Sequence, residues 1–352
     1  MKPTSFASGL LDWYRQSSRE IPWRGFEGPY IVWVSVVMLQ QTRMDTAVRY
    51  IQQWMQRFPT VEALASTSLD EVLKVWEGLG YYQRAHNLHR AAQILISEYG
   101  GCLPTDIDAL RRLPGIGDYT AGAIASIAFG LDEPAVDANA GRVLARVFEV
   151  REPTHSTAGK RVLWDLARGH LPPGQAAMYN QALMDLGATV CTARQPMCSR
   201  CPLADLCRAN LLGAQAELPQ KQRKKSIPHH LVTAAVLQRD GHVLIAQRPA
   251  EGLLGNLWEF PGGKTLPEED LRTCLKREVR EELGVDISVG EMLGVYQHTY
   301  SHFRVTLHVF FCSLVSGEPR KLEHADLKWV TPMDLSSYPM GKLDRQIANA
   351  IL

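Results

Sequence analysis

LPGIGDYTAGAIASIAFGLDEPAVD, residues Leu113 to Asp137, is the stretch that decides the reading of this chain. Leu113 to Gly117 is a tight hairpin. Asp118 to Phe129 follows as an amphipathic helix, with Ala121, Ile124, Ala125 and Ala128 at helical spacing. Gly130 to Val136 turns and ends on Asp137. A Gly-x-Gly turn that opens a helix aims several backbone N–H groups the same way, which suits an oxyanion such as a DNA phosphate. The stretch thus pairs a grip for a phosphate with a carboxylate delivered 20 residues beyond Gly117. A glycine-containing connector between two core helices carries the same pattern, and these residues alone do not separate the two.

Upstream, helical patterns follow one another on short links: Leu10–Gln16, Tyr30–Thr42, Asp45–Phe58, Val61–Ala65, Leu69–Trp76, Gln83–Tyr99 and Ile107–Arg112. Tyr30–Thr42 is apolar on all sides until Gln40-Gln41-Thr42, so it reads as a buried helix whose polar end reaches base edges or solvent. Gly78-Leu79-Gly80-Tyr81-Tyr82 is a glycine-flanked aromatic tip. It is suited to wedging into a base stack, or to closing a turn over buried rings. Arg24 beside Trp23 suits phosphate or base stacking, and equally a surface cap. Downstream, Ala138–Phe148 is helical with Asp137 as its N-cap, a place that fixes a carboxylate and keeps it ionised.

Cys191, Cys198, Cys201 and Cys207 stand in the spacing C-x6-C-x2-C-x5-C. Four thiolates on one short loop bind a [4Fe–4S] cluster or zinc, and the spacing does not choose. Cys102, Cys274 and Cys312 are scattered and read as buried thiols. Residues 1–212 form an all-α domain on this reading, and 213–230 a linker with the basic run Lys221 to Lys225. From Leu231 the period changes to two, with strands at Leu231–Gln238, Val243–Gln247, Met292–Gln297, Val305–Ser313 and Leu327–Val330. With helices at Glu268–Leu283 and Leu343–Leu352, residues 231–352 read as an α+β domain.

Composition adds bounds rather than identity. The 352 residues are 45% apolar and 21% charged, which suits two folded domains. The N-terminus lacks the apolar stretch of a signal peptide, and Tyr30–Leu39 is too short to span a bilayer, so a cytoplasmic protein is expected. Net charge is +1, split as +4 over residues 1–230 (25 Lys/Arg, 21 Asp/Glu) and −3 over the rest (13 and 16). The first part leans weakly towards a polyanion.

VMLQQT, EGLGYYQR, LPGIGDYTAGAI, AVDANAGRVLARVF, NQALMDLGATVC and the cysteine loop together resemble the helix–hairpin–helix DNA glycosylases with an iron–sulfur loop, nearest the adenine-specific family. The resemblance implies a [4Fe–4S] cluster, and a monomer, nucleoid-associated, that flips adenine opposite 8-oxoguanine out of duplex DNA. It implies that Asp137 stabilises an oxocarbenium-like sugar with Tyr119 beside it, and that Asn139 and Arg24 hold the adenine site. It also implies that Gln41 and Tyr81, with Thr42 and Leu79 next to them, fill the stack, while Gly115 and Gly117 bind phosphate. Related glycosylase/lyases carry Lys where Tyr119 stands; tyrosine forms no imine, so a monofunctional glycosylase is expected.

Two departures follow. The family reads Ser-Glu-Val before MLQQT, whereas this chain reads Ser35-Val36-Val37, so the glutamate that protonates adenine N7 is missing. A lesion-binding protein with little or no excision is therefore an open alternative. Secondly, the C-terminal part resembles the Nudix (MutT-like) fold with a complete box: Gly263, Glu269, Arg277, Glu278, Glu281, Glu282 and Gly284 stand at the family's spacing. Glu278, Glu281 and Glu282 share one helix face and suit Mg²⁺ around a diphosphate. Tyr300-Ser301-His302 instead matches the loop by which the glycosylases' C-terminal domain reads 8-oxoguanine. Lesion reading is the expected role, and hydrolysis of an oxidised dNTP the alternative.

Overall fold

The computed structural model describes residues 3–19, 28–220 and 226–352; Arg24, Glu20, Glu27 and the basic run Lys221–Lys225 lie outside the described residues. The chain divides into two compact units: Met1–Ser66 with Asn87–Lys224, and Thr67–His86 with Lys225–Leu352. The second unit thus takes in a segment from within the helical half.

The helices of the first half are α1 (Pro3–Ser17), α2 (Pro29–Leu39), α3 (Met44–Arg57), α4 (Val61–Ser66), α5 (Leu69–Trp76), α6 (Gln83–Tyr99), α7 (Ile107–Arg112), α8 (Asp118–Phe129), α9 (Ala138–Val147), α10 (Thr157–Gly169), α11 (Ala176–Thr189) and α12 (Arg208–Leu211). No strand occurs among the described residues before His229. Helix α2 is apolar all round because it is enclosed all round: seven of its residues, from Ile31 to Met38, are buried. It stops at Leu39, three residues before the sequence pattern suggests, because Gln41 turns left-handed at φ 56°. The patterns for α5, α6, α7 and α8 match the structure end to end. Helices α10 and α11 were not singled out by periodicity. In α11 eight residues are buried and no side chain caps the start, so it lacks both the stripe and the stop signals.

One core of the first unit gathers Phe6, Leu10, Val143, Leu144, Tyr179 and Leu183 from α1, α9 and α11. Two glycines permit close approaches that place the cleft described below. A Cβ on Gly122 in α8 would stand 2.1 Å from the Pro134 carbonyl oxygen, and one on Gly187 in α11 2.7 Å from that of Asn139. The strand of chain leading to Asp137 therefore lies directly on α8. In an exposed helix Gly→Ala gains about 1 kcal/mol. At Gly122 the contact is backbone, which cannot step aside, so Gly122→Ala is expected to lose about 3 kcal/mol in urea denaturation. A gain in stability would disprove the crowding.

In the second unit β1 (His229–Arg239), β2 (His242–Gln247), β3 (Trp258–Glu259), β4 (Asp286–Thr299), β5 (Arg304–Ser316) and β6 (Asp326–Val330) make one mixed sheet, with α13 (Leu271–Leu283) and α14 (Lys342–Ala350). The order is β3-β2-β1-β5-β4, with β6 also on β2; β1 and β5 run parallel and the other pairs antiparallel. Alternate residues feed two cores. Ala234, Val236, Val243, Ile245, Leu307 and Val309 join α14 on one face. Ala235, Leu237, Leu244, Phe310 and Cys312 join Leu275, Val279 and Leu283 of α13 on the other. Burial on both faces explains the near-continuous apolar runs of β1 and β5. Of the three scattered cysteines Cys274 and Cys312 are buried as expected, but Cys102 is exposed, since it lies on the turn after α6.

Candidate functional site

Asp137 is the N-cap of α9, and its Oδ1 accepts the Ala140 N–H at 2.7 Å. Its Oδ2 accepts from Asn139 Nδ2 at 3.0 Å. Asn139 Oδ1 accepts in turn from Arg142 Nη2 at 2.8 Å, and Arg142 Nε donates to the Cys191 carbonyl at 2.7 Å. A hydrogen-bonded chain thus runs from the carboxylate to the first cysteine of the metal loop. Asp137 and Tyr119 line one open cleft of about 780 Å³ in the first unit, together with Gly115 and Gly117 of the hairpin. Cleft-lining residues that sequence reasoning missed are His155, just before α10, and Lys160 and Trp164 within it. The Ser156 cap of that helix, which accepts from Gly159 N–H at 3.0 Å, was the available signal.

Two influences act on the Asp137 carboxyl in opposite directions. Burial is the largest influence and raises its pKa above the ordinary carboxylate value, against the pull of Ala140, Asn139 and Arg142. Burial also raises the Tyr119 hydroxyl, and the charge of Asp137 adds to it. Tyr119 O–H points to Met184 Sδ at 3.9 Å. Val36 is 6% exposed and packs with Ala123, Ala135, Tyr119 and Met184. The side chain at position 36 is therefore an apolar wall beside Tyr119, with no proton to donate.

The hairpin closes by Ile116 N–H on the Leu113 carbonyl at 3.1 Å. Gly115 has φ 76°, and a Cβ there would strike Asn87 at 2.7 Å, so glycine is required. No side chain caps α8, whose first-turn Asp118 is paired with Arg111 at 2.9 Å. A helix start with no side-chain cap is the kind that suits an oxyanion.

Two residues read as stack-filling share an uncommon backbone. Gln41 (φ 56°) and Tyr81 (φ 49°) are both left-handed and exposed, a conformation that non-glycine residues adopt rarely and mostly for a local purpose. Gln40 Nε2 is committed to Thr120 Oγ1 at 2.9 Å, and Thr42 Oγ1 to the Gln40 carbonyl at 3.3 Å. In the turn of the second unit Tyr81 is 47% exposed while Leu79 is 7% exposed, so Tyr81 alone forms the apolar tip and Leu79 is packed inside. The Tyr81 hydroxyl meets Ser301 Oγ at 2.6 Å. Tyr300-Ser301-His302 is the tip of the β4–β5 hairpin, closed by Tyr300 N–H on the Phe303 carbonyl at 2.8 Å; Ser301 and His302 are exposed and Tyr300 stacks on Phe303.

All four loop cysteines line a single space, with apolar Val143, Val147, Leu186 and Val190. Among the described residues no three of His, Cys, Asp or Glu stand close enough to hold a single ion. Sulfurs placed around a space rather than on a point fit a multi-atom cluster, not zinc. Buried Arg146 donates to Cys191 Sγ at 3.3 Å and to the Thr192 carbonyl at 2.7 Å, a partner suited to anionic sulfur. Burial and the neighbouring thiols raise Cys201 to about 11, which bound iron would reverse.

The Nudix-box glutamates do not converge. Arg277 takes Glu269 at 2.8 Å, Glu278 at 2.8 Å and Glu281 at 3.0 Å. Glu282 accepts the Gly262 N–H at 2.9 Å, and burial pushes it up to about 9, with the charges of Glu259 and Glu278 adding to it. The shared helix face is real, but the arginine fork splits it, so this arrangement does not present three carboxylates to one Mg²⁺.

Residues 34–166 match the HhH-GPD superfamily of base excision DNA repair proteins, 191–207 the iron–sulfur binding domain of endonuclease III, and 232–350 the NUDIX domain. The helical part is similar to the structure of a thermostable thymine-DNA glycosylase, with TM-score 0.56 and 30% identity over 60% of this chain and 97% of that one. These matches define an iron–sulfur glycosylase, a hydrolase acting on N-glycosyl bonds, joined to a Nudix domain. The chain is 36% identical to the adenine DNA glycosylase of Homo sapiens over 93% of its length and 70% of the relative's. It is 31% identical to that of Buchnera aphidicola subsp. Acyrthosiphon pisum over 86% and 85%. It belongs to the adenine DNA glycosylase family. No helix of the described residues is long and apolar enough to cross a membrane.

Proposed function

We propose that this chain binds duplex DNA carrying adenine opposite 8-oxoguanine and hydrolyses the adenine glycosidic bond, at a rate held down by Val36. The observation that carries the reading is Asp137, fixed by Ala140 and Asn139 in the cleft it shares with Tyr119 and the hairpin. As the C1′–N9 bond lengthens, the carboxylate offsets the positive charge growing on the sugar. Water adds at C1′ and loses a proton to solvent, and adenine leaves with a proton taken at N7. Val36 cannot supply that proton, so solvent does, and slowly. The four cysteines hold a [4Fe–4S] cluster that supplies structure, and through Arg142 the loop sets Asn139 against Asp137. Tyr119 leaves no amine for a Schiff base, so the strand is not cut. Gly115 and Gly117 hold a phosphate, Gln41 and Tyr81 enter the stack, and Ser301 and His302 read the lesion. The test is single-turnover excision on an A:8-oxoguanine duplex. The unaltered chain is expected to bind it in preference to A:T and to release adenine slowly; equal binding to both duplexes would overturn the reading.

The complete Nudix box favours a second reading, hydrolysis of 8-oxo-dGTP with Mg²⁺. Because Arg277 divides the glutamates, no pyrophosphate release above that of Glu281→Gln is expected. Release that this substitution abolishes would establish the second activity.

A further inference from the structure

Tyr81 stands on a turn of the second unit that begins next to a contact with α14. Glu77 ends α5 and immediately precedes Gly78. Its carboxylate takes a two-pronged contact from Arg345 on α14: Nε to Oε1 at 2.5 Å and Nη2 to Oε2 at 3.1 Å. The Met340 N–H reaches the same Oε2 at 3.3 Å, and Lys74 Nζ at 3.0 Å. Arg345 is itself fixed by the Leu335 and Tyr338 carbonyls. The pair is 16% and 19% exposed, so solvent screens it little, and a forked arginine–carboxylate contact fixes orientation as well as distance. Four residues on, Tyr81 holds its left-handed backbone. A conformation of that kind persists only where its surroundings enforce it.

We propose that Glu77 and Arg345 are positioning residues for lesion recognition: the C-terminal unit sets the base of the Gly78–Tyr82 turn so that Tyr81 meets the DNA in one orientation. This rests on the reading of Tyr81 as the residue that enters the stack. The test uses the full chain and a duplex with 2-aminopurine beside the A:8-oxoguanine pair, whose fluorescence reports stacking. Arg345→Met is expected to weaken lesion binding about tenfold, as loss of one charged fork does, and to remove the fluorescence change. Binding to undamaged duplex stays within about twofold, because phosphate contacts carry it. Arg345→Lys, which keeps the charge but not the fork, restores less than half of the fluorescence change. In a Tyr81→Ala background Arg345→Met adds nothing. If Tyr81→Ala alone leaves lesion binding and fluorescence intact, the stacking reading fails. If Tyr81→Ala impairs both while Arg345→Met does not, or if the two effects add, the positioning proposal fails. Should Arg345→Met lower the melting temperature, Glu77→Gln, which keeps shape and one acceptor, replaces it with the same two outcomes.

Discussion

Val36→Glu is expected to raise the single-turnover rate of adenine release by about 10²–10⁴, the usual contribution of a general acid. The pocket at position 36 explains why the gain is realised. Its neighbours Ala123, Ala135, Tyr119 and Met184 offer no charge partner, so a carboxyl placed there is pushed up and stays protonated near neutral pH. That is the form able to donate to N7. Glutamate is longer than valine, and overpacking costs about 1–3 kcal/mol, partly relieved because the cleft is open beside Tyr119. Measured rates for the two chains under identical conditions check this. Fast release by the unaltered chain would mean that another group in the cleft supplies the proton, and His155 is the first to replace.

Asp137→Asn in the Val36→Glu background is expected to lower that rate by about 10²–10³, the loss typical of removing one group aimed at developing charge. Stability moves the other way. Asparagine still caps α9 by accepting from Ala140, so the helix start survives. Burial raises the Asp137 pKa in the folded chain, so its contribution to stability is greatest below the unfolded value and is lost as pH rises through the folded one. At neutral pH the ionised group is a liability, and Asp137→Asn should melt at a higher temperature than its parent. The rate of the parent should rise with pH across the same raised pKa, because the ionised form is the one that stabilises the sugar. A melting temperature lowered by the substitution would show that the capping bonds outweigh burial.

What could be read from the residues depended on range. The hairpin, α8 and the cap at Asp137 were legible because their contacts are local: Ala140 is three residues from Asp137 and Asn139 two. The link to the cysteine loop was not, since Arg142 meets the Cys191 carbonyl 49 residues on and nothing in spacing points to it. The cysteine spacing left zinc and cluster open, and it was the resemblance of the whole helical half that implied the cluster. In the tip at Gly78–Tyr82 composition treated Leu79 and Tyr81 alike, and only the left-handed turn decides that one is buried and the other presented. Strand β3 spans two residues and exists through its pairing with Ala246 and Gln247 of β2, which no local pattern reveals. The shared face of the Nudix glutamates was legible, but not that Arg277 takes Glu278 and Glu281 while Gly262 takes Glu282.

Glu77 and Arg345 lie 268 residues apart in the chain. On a ribosome adding about 5–20 residues per second, α5 and the following turn emerge on the order of 10–50 s before α14 exists. During that interval nascent Thr67–His86 lacks the rest of its unit, Lys225–Leu352. Synthesis of α14 is the event that gives Glu77 its arginine.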